Sequence, residues 1–98
     1  MVKKIVFSPE ANERLKEIIN YLVKEWSVNS AEKFINILEV KLSLISKFPL
    51  LYPAFKDEQD IHYCVINEQI TLYYRITESN IEIITLFDSR SNPSNLKL

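Results

Sequence analysis

The chain of 98 residues contains no glycine. Glycine-rich phosphate cradles, of the P-loop or the dinucleotide type, are therefore excluded. It has one cysteine, Cys64, and one histidine, His62. An internal disulfide and a Cys/His zinc cage are ruled out, and a lone thiol fits a reducing cytosol. Charges interrupt both helical segments well before the roughly 18 apolar residues that a membrane span requires. The opening MVKKIVFSPE has two lysines but no apolar core of about 7–15 residues, so it does not read as a secretory signal. A basic footprint is missing as well. Formal net charge is −1 and the pI is near 5.8. Residues 1–56 carry nine Lys/Arg against six Asp/Glu (+3), and residues 57–98 three against seven (−4). Nucleic-acid binders draw much of their affinity from phosphate neutralisation, so an acidic second half argues against nucleic acid as its main ligand.

What is present is ordinary for a globular protein: 47% apolar and 26% charged residues. The length suits one domain, 1–98, and the lone thiol a cytoplasmic setting. Val2–Phe7 is short and β-branched and reads as a strand. Ser8-Pro9-Glu10 then has the form of a helix start, with a hydroxyl cap, proline at the first turn and a carboxylate at the positive dipole end. Ala11, Leu15, Ile18, Ile19, Leu22 and Trp26 recur at helical spacing. After a break at Ser27–Ser30, which Ser27 or Asn29 can cap, Ala31, Phe34, Ile35, Leu38, Leu42, Ile45 and Phe48 form a second stripe, with Glu32 in the first turn. Pro49 ends it. The short connection makes the two helices antiparallel neighbours. Pro49–Asp60 reads as a loop, with Asp57–Asp60 a solvated acidic turn.

From Ile61 to Phe87 the pattern becomes three strands. If Asn67-Glu68 is a two-residue turn, Cys64 lies opposite Thr71 and His62 opposite Tyr73. Ile61, Tyr63, Val65, Ile70, Leu72, Tyr74 and Ile76 then share a core face under the helices, with Ile81, Ile83 and Phe87. His62, Cys64, Thr71, Tyr73 and Arg75 share the open face with Ile84 and Leu86. A second turn at Glu78-Ser79 sets Arg75 across from Glu82. An open face this apolar implies a cover, either a partner or the chain's own C-terminal tail, Ser91–Leu98.

The chemistry-bearing residues are few. His62 and Cys64 could pair, but neighbours two apart on a strand are about 7 Å apart, and a half-buried thiol is the commoner fate of a lone Cys. Arg75 and Arg90 suit bidentate recognition of phosphate or carboxylate. The structural alternatives are a cross-strand pair with Glu82 and a clasp to Asp88. Tyr73 could stack on a base or fill a partner's groove. No cofactor or metal set is evident.

The ordered set of features is nonetheless specific: a strand, two helices ending in Phe48-Pro49, then Cys64-Val65-Ile66, Thr71–Ile76 (TLYYRI), Ile81–Phe87 (IEIITLF) and D-x-R-x-N-P (Asp88–Pro93). In this the chain resembles the RelE/ParE superfamily of bacterial type II toxins over nearly its whole length. The resemblance implies an α+β fold, mainly antiparallel with an N-terminal strand and a helical hairpin on one face (β-α-α-β-β-β), and neutralisation by a cognate antitoxin. RelE-like members cut mRNA on the ribosome without a metal, using basic strand residues and a late Arg. Only Arg90 matches that pattern, with His62 available as acid or base. ParE-like members inhibit DNA gyrase by binding it. The missing lysines and the acidic sheet half favour this branch. Arg75, Arg90, Asp88 and Tyr73 are then the expected target-binding residues. Ile84, Leu86 and Tyr73, or the groove of the helical hairpin, are the expected antitoxin contacts. A non-toxic antitoxin-binding homologue is the third reading, and the assembly expected is a homodimer or a toxin–antitoxin hetero-oligomer. No membrane contact is implied.

Overall fold

The computed structural model describes residues 2–56 and 58–98, with Glu58 and Gln59 described by backbone alone. Five strands form one sheet in the order β1-β5-β4-β3-β2: β1 Lys4–Phe7, β2 Ala54–Phe55, β3 Glu58–Val65, β4 Ile70–Ile76 and β5 Asn80–Asp88. Among the described residues β1 and β5 pair in parallel and the other pairings are antiparallel. Two helices, α1 Pro9–Glu25 and α2 Val28–Lys47, cover one face. The expected α+β architecture is the one observed.

Local chemistry accounts for both helix starts. The Ser8 hydroxyl caps α1 by accepting from the Ala11 N–H at 3.0 Å, and Pro9 fills the first turn. Ser27, not Asn29, caps α2, accepting from the Ser30 N–H at 3.0 Å. The first turn of α2 therefore holds no carboxylate, and Glu32 falls beyond it. The core gathers Ala11, Phe34, Leu38 and Ile45 from the helices against Leu72, Tyr74, Ile81 and Ile83 from the sheet. Truncating a side chain buried like Leu72 costs about 2–5 kcal/mol. The two helical stripes extend less far than their spacing suggests. Trp26 at the hairpin tip is 70% exposed, and Phe48 is exposed too.

Three strand-level expectations are corrected. The region read as a loop before residue 61 contains β2. Of the acidic run expected as a solvated turn, Asp57 lies outside the described residues, whereas Glu58–Asp60 open β3. Second, the β3–β4 turn has three residues. The Asn67 side chain accepts from the N–H groups of Gln69 and Ile70, each at 2.8 Å, so Ile66 bonds Ile70. Cys64 therefore pairs with Leu72 and His62 with Tyr74. Because strand periodicity is two, this one-residue shift turns every β3 side chain to the other face.

Third, the Glu78-Ser79 turn and the Arg75–Glu82 pairing are as expected, but the register shifts between Tyr73 and Tyr74. Ile83 pairs with Tyr74 and Thr85 with Tyr73, which leaves Ile84 as a bulge. The bulge carries Leu86 to the core face and Phe87 to the open face. Ser8 secures it. The Ser8 N–H bonds the Ile83 carbonyl at 3.0 Å, and its hydroxyl donates to the Ile84 carbonyl at 2.7 Å. One serine thus starts α1 and satisfies the bulged carbonyl.

Candidate functional site

The face of the sheet away from the helices is aromatic and aliphatic. Tyr63 reaches it through the three-residue turn, beside its pairing partner Tyr73, with ring centroids 6.3 Å apart. Phe55 of β2 stands edge-on to Tyr73 at 5.3 Å and to Tyr63 at 6.5 Å. These separations lie in the range where edge-to-face aromatic contacts are favourable. Burial, then the neighbouring Tyr63, raises the Tyr73 phenol above its usual pKa, so both its proton and its hydrogen-bond donor persist at neutral pH. Arg75 lies across from Glu82, with Nε 3.8 Å from the carboxylate and both side chains more than a third exposed. Such a pair is worth well under about 1 kcal/mol. A shallow cavity of about 460 Å³ opens here, bounded by Phe55, Lys56, Ile61 and Arg75 and by Leu96 and Leu98 of the segment after Pro93.

His62 and Cys64 do not belong to this face. His62 is 5% exposed on the core side, stacked on Tyr74 at 5.4 Å and 17°. Its Nδ1 lies 2.8 Å from the Tyr52 carbonyl. A carbonyl only accepts, so Nδ1 carries the proton. Nε2 is buried without a partner among the described residues. The Cys64 thiol is buried and pushed up by that burial, against smaller opposing effects of Tyr52 and Lys41. Neither group is presented to a substrate, which removes the geometric basis for His62 as an acid or base. Leu86 is likewise 1% exposed in the core, Tyr73 is 9% exposed under neighbouring chain, and Ile84 is half-buried. Of the three expected antitoxin contacts, Leu86 is withdrawn by the bulge.

Asp88 and Arg90 form a clasp. The Asp88 carboxylate accepts from the Arg90 backbone N–H at 2.8 Å, from Nε at 3.0 Å and from Nη2 at 2.7 Å. The guanidinium also sits 5.4 Å from the Tyr21 ring centroid of α1. The Arg90 side-chain hydrogen bonds are the main cause holding the Asp88 carboxyl below its usual range, against the opposing effect of burial. Arg90 is raised in turn, first by Asp88 and then by Tyr21. A groove of about 600 Å³ runs beside the clasp between α1 and the end of the sheet, with Ile18, Leu22 and Ile70 on its floor and Arg14 and Arg90 at its rim.

A second apolar surface lies on α2. Ile37, Val40 and Phe48 are exposed, with Leu51 beyond the helix end. Positions 37, 40, 44 and 48 share one helical side, apart from the core stripe at 34, 38 and 45. Lys33, Lys41 and Lys47 flank this side, while Glu32 and Glu39 fall on another. The sequence carried this signal as a second, overlapping periodicity. Tyr63 and Phe55 were hidden for a different reason: a turn length and a two-residue strand decide their placement. Among the described residues no group of three or more His, Cys, Asp or Glu could hold a metal, and no helix is long and apolar enough to cross a membrane.

The sequence model of one protein family, described as ParE toxin of type II toxin-antitoxin system, parDE, matches residues 5–93. No curated protein sequence matches. Among solved structures, the chromosomal ParDE TA system from P. aeruginosa is similar at a TM-score of 0.72 and 10% identity, over 89% of this chain and 96% of that one. The YoeB dimer from Staphylococcus aureus is similar at 0.64 and 20% identity, over 93% and 100%. The E. coli DinJ-YafQ toxin-antitoxin complex is similar at 0.62 and 14% identity, over 90% and 93%. At these identities the structural likenesses establish the fold.

Proposed function

The chain belongs to the ParE toxin family of type II toxin–antitoxin systems, and from that premise we propose that it acts by binding and inhibiting DNA gyrase, held in check by a cognate antitoxin. The observation that carries this reading is the composition of the open face. Phe55, Tyr63 and Tyr73 form an aromatic cluster there, while the single histidine and the single cysteine turn into the core. An mRNA-cleaving site needs a group to move protons and cations free to meet a phosphoryl transition state. Arg90 is engaged by Asp88 and Tyr21, while Arg75 is only loosely paired with Glu82, at 3.8 Å. An aromatic surface with Arg75 beside it suits protein recognition, where Tyr and Arg dominate binding energy. In this reading Tyr63 and Arg75 meet the target, Tyr73 packs buried beside Tyr63, and Asp88 and Arg90 hold the segment that borders the same surface.

The antitoxin surface that fits best is the outward side of α2. An amphipathic helix with apolar residues at three- and four-residue spacing and flanking carboxylates would cover Ile37, Val40 and Phe48 and meet Lys33, Lys41 and Lys47. The E. coli neighbour is a toxin–antitoxin complex and the P. aeruginosa neighbour a ParDE TA system, which supports an antitoxin as partner.

The ribosome-dependent nuclease is the second reading, favoured by one feature: adjacent tyrosines can stack on bases. Induction in a bacterial host separates the two. Filamentous cells with broken or stalled DNA are the expected outcome. Rapid loss of translation with cleaved mRNA would overturn it in favour of the nuclease. Normal growth would leave an antitoxin-binding homologue.

A further inference from the structure

The open face raises a question the helices cannot answer, because they lie on the other side. Ile61 is 3% exposed there, and Tyr73 and Thr85 are also buried. Part of the cover comes from residues 95–98. Leu96 and Leu98 are half-buried, while Asn95 and Lys97 are exposed. The two leucines border the cavity with Phe55, Lys56, Ile61 and Arg75. This alternation is that of an extended segment laid on a surface, with side chains two apart pointing inward.

The segment is weakly held. Its path is set upstream, by the Asp88–Arg90 clasp and by a 3₁₀ turn at Pro93–Asn95 that Asn92 caps. The Leu96 N–H bonds only locally, to the Pro93 carbonyl at 3.1 Å. Among the described residues, Lys97 and Leu98 make no hydrogen bond to the rest of the chain. The shallow opening is lined by both leucines together with Phe55, Lys56, Ile61 and Arg75.

We infer that residues 96–98 are a displaceable strap over a groove that receives an extended segment of a partner protein, with leucine-like side chains at alternate positions and a carboxylate beside them. The strap shows the shape that fits. The carboxylate follows from charge: Lys56 and Arg75 border the cavity, and Arg75 is only loosely paired with Glu82 at 3.8 Å. A segment entering in the strap's place keeps its apolar contacts and adds a charge-assisted hydrogen bond. The inference concerns access to the face and stands whether or not the partner is gyrase.

The test uses the whole chain and a fluorescein-labelled peptide, Asp-Leu-Ser-Leu-Glu, as probe. Binding is followed by fluorescence polarisation, and by chemical shifts of the Ile61 methyl groups and the Tyr73 ring. The double variant Leu96→Asn/Leu98→Asn should bind the peptide at least tenfold more tightly than the unaltered chain. Adding Arg75→Glu should remove most of that gain. The single variant Leu98→Asn should give an intermediate affinity and guards against misfolding of the double one. Equal affinity for strapped and unstrapped chains, or no binding to either, overturns the inference. So does a large fall in Tm for Leu98→Asn without any gain in binding, which would make the strap a fixed part of the fold.

Discussion

Ser8 performs two tasks with one hydroxyl, accepting from the Ala11 N–H and donating to the bulged Ile84 carbonyl. Ser8→Ala removes an N-cap, worth about 0.5–2 kcal/mol, and leaves a part-buried carbonyl without its donor, a further cost of about 1 kcal/mol. Urea denaturation should show a loss near the upper end of that combined range, and Ser8→Asp should recover part of it by restoring the cap. Asp88 gives a second residue-scale prediction. Its pKa in the folded chain lies below the ordinary 3.8 because Arg90 hydrogen-bonds the charged form. The clasp's contribution to stability is therefore complete above the unfolded value and is lost as pH falls below 3.8 through the depressed one. An NMR titration of the Asp88 carboxyl should place its midpoint below 3.8, and Arg90→Ala should move the midpoint back up.

At the scale of elements, the third prediction concerns α2. Val40 is 61% exposed and makes no part of the core, so Val40→Glu should leave Tm within a few degrees. The same change should weaken capture of the cognate antitoxin by at least tenfold, by setting a carboxylate against an acid-flanked helix. Undiminished capture would move the antitoxin to another surface. The helices were legible because capping residues and 3.6-residue spacing agree. Strand β4 was legible for a similar reason: Ile70, Leu72, Tyr74 and Ile76 are apolar while Thr71 and Arg75 between them are not. Strand β3 was not. Ile61-His62-Tyr63-Cys64-Val65 holds apolar or amphipathic groups on both sides, so alternation could not choose its face, and the choice fell to the turn. Asn67 made that turn one residue longer than expected. In β5 the run Ile83-Ile84-Thr85-Leu86 hides the bulge, because what stabilises it, Ser8, is 76 residues away.

Over the whole molecule, the two faces of the sheet divide the work. The helical side is closed by a core with His62, Cys64 and Tyr74 at its edge. Tyr74 donates to the Pro49 carbonyl at 2.7 Å, holding the end of α2 to the sheet. The fourth prediction follows: Tyr74→Phe should cost about 1 kcal/mol and leave target inhibition unchanged. His62→Gln should alter stability rather than toxicity, since that ring packs inside the fold. The open side carries the aromatic cluster, Arg75 and the strap. Family, fold, the apolar character of this side and its β4 residues Thr71, Tyr73 and Arg75 were readable from the residues, but which residues of β3 and β5 join them was not.

The central claim is that this open surface inhibits gyrase by binding it. The most direct measurement is DNA supercoiling by purified gyrase with added toxin, comparing the unaltered chain with Tyr63→Ala and Arg75→Glu. Loss of supercoiling by the unaltered chain, weakened at least tenfold in both variants, is the predicted result. Undisturbed supercoiling, together with cleavage of mRNA on purified ribosomes by the same preparation, would contradict it.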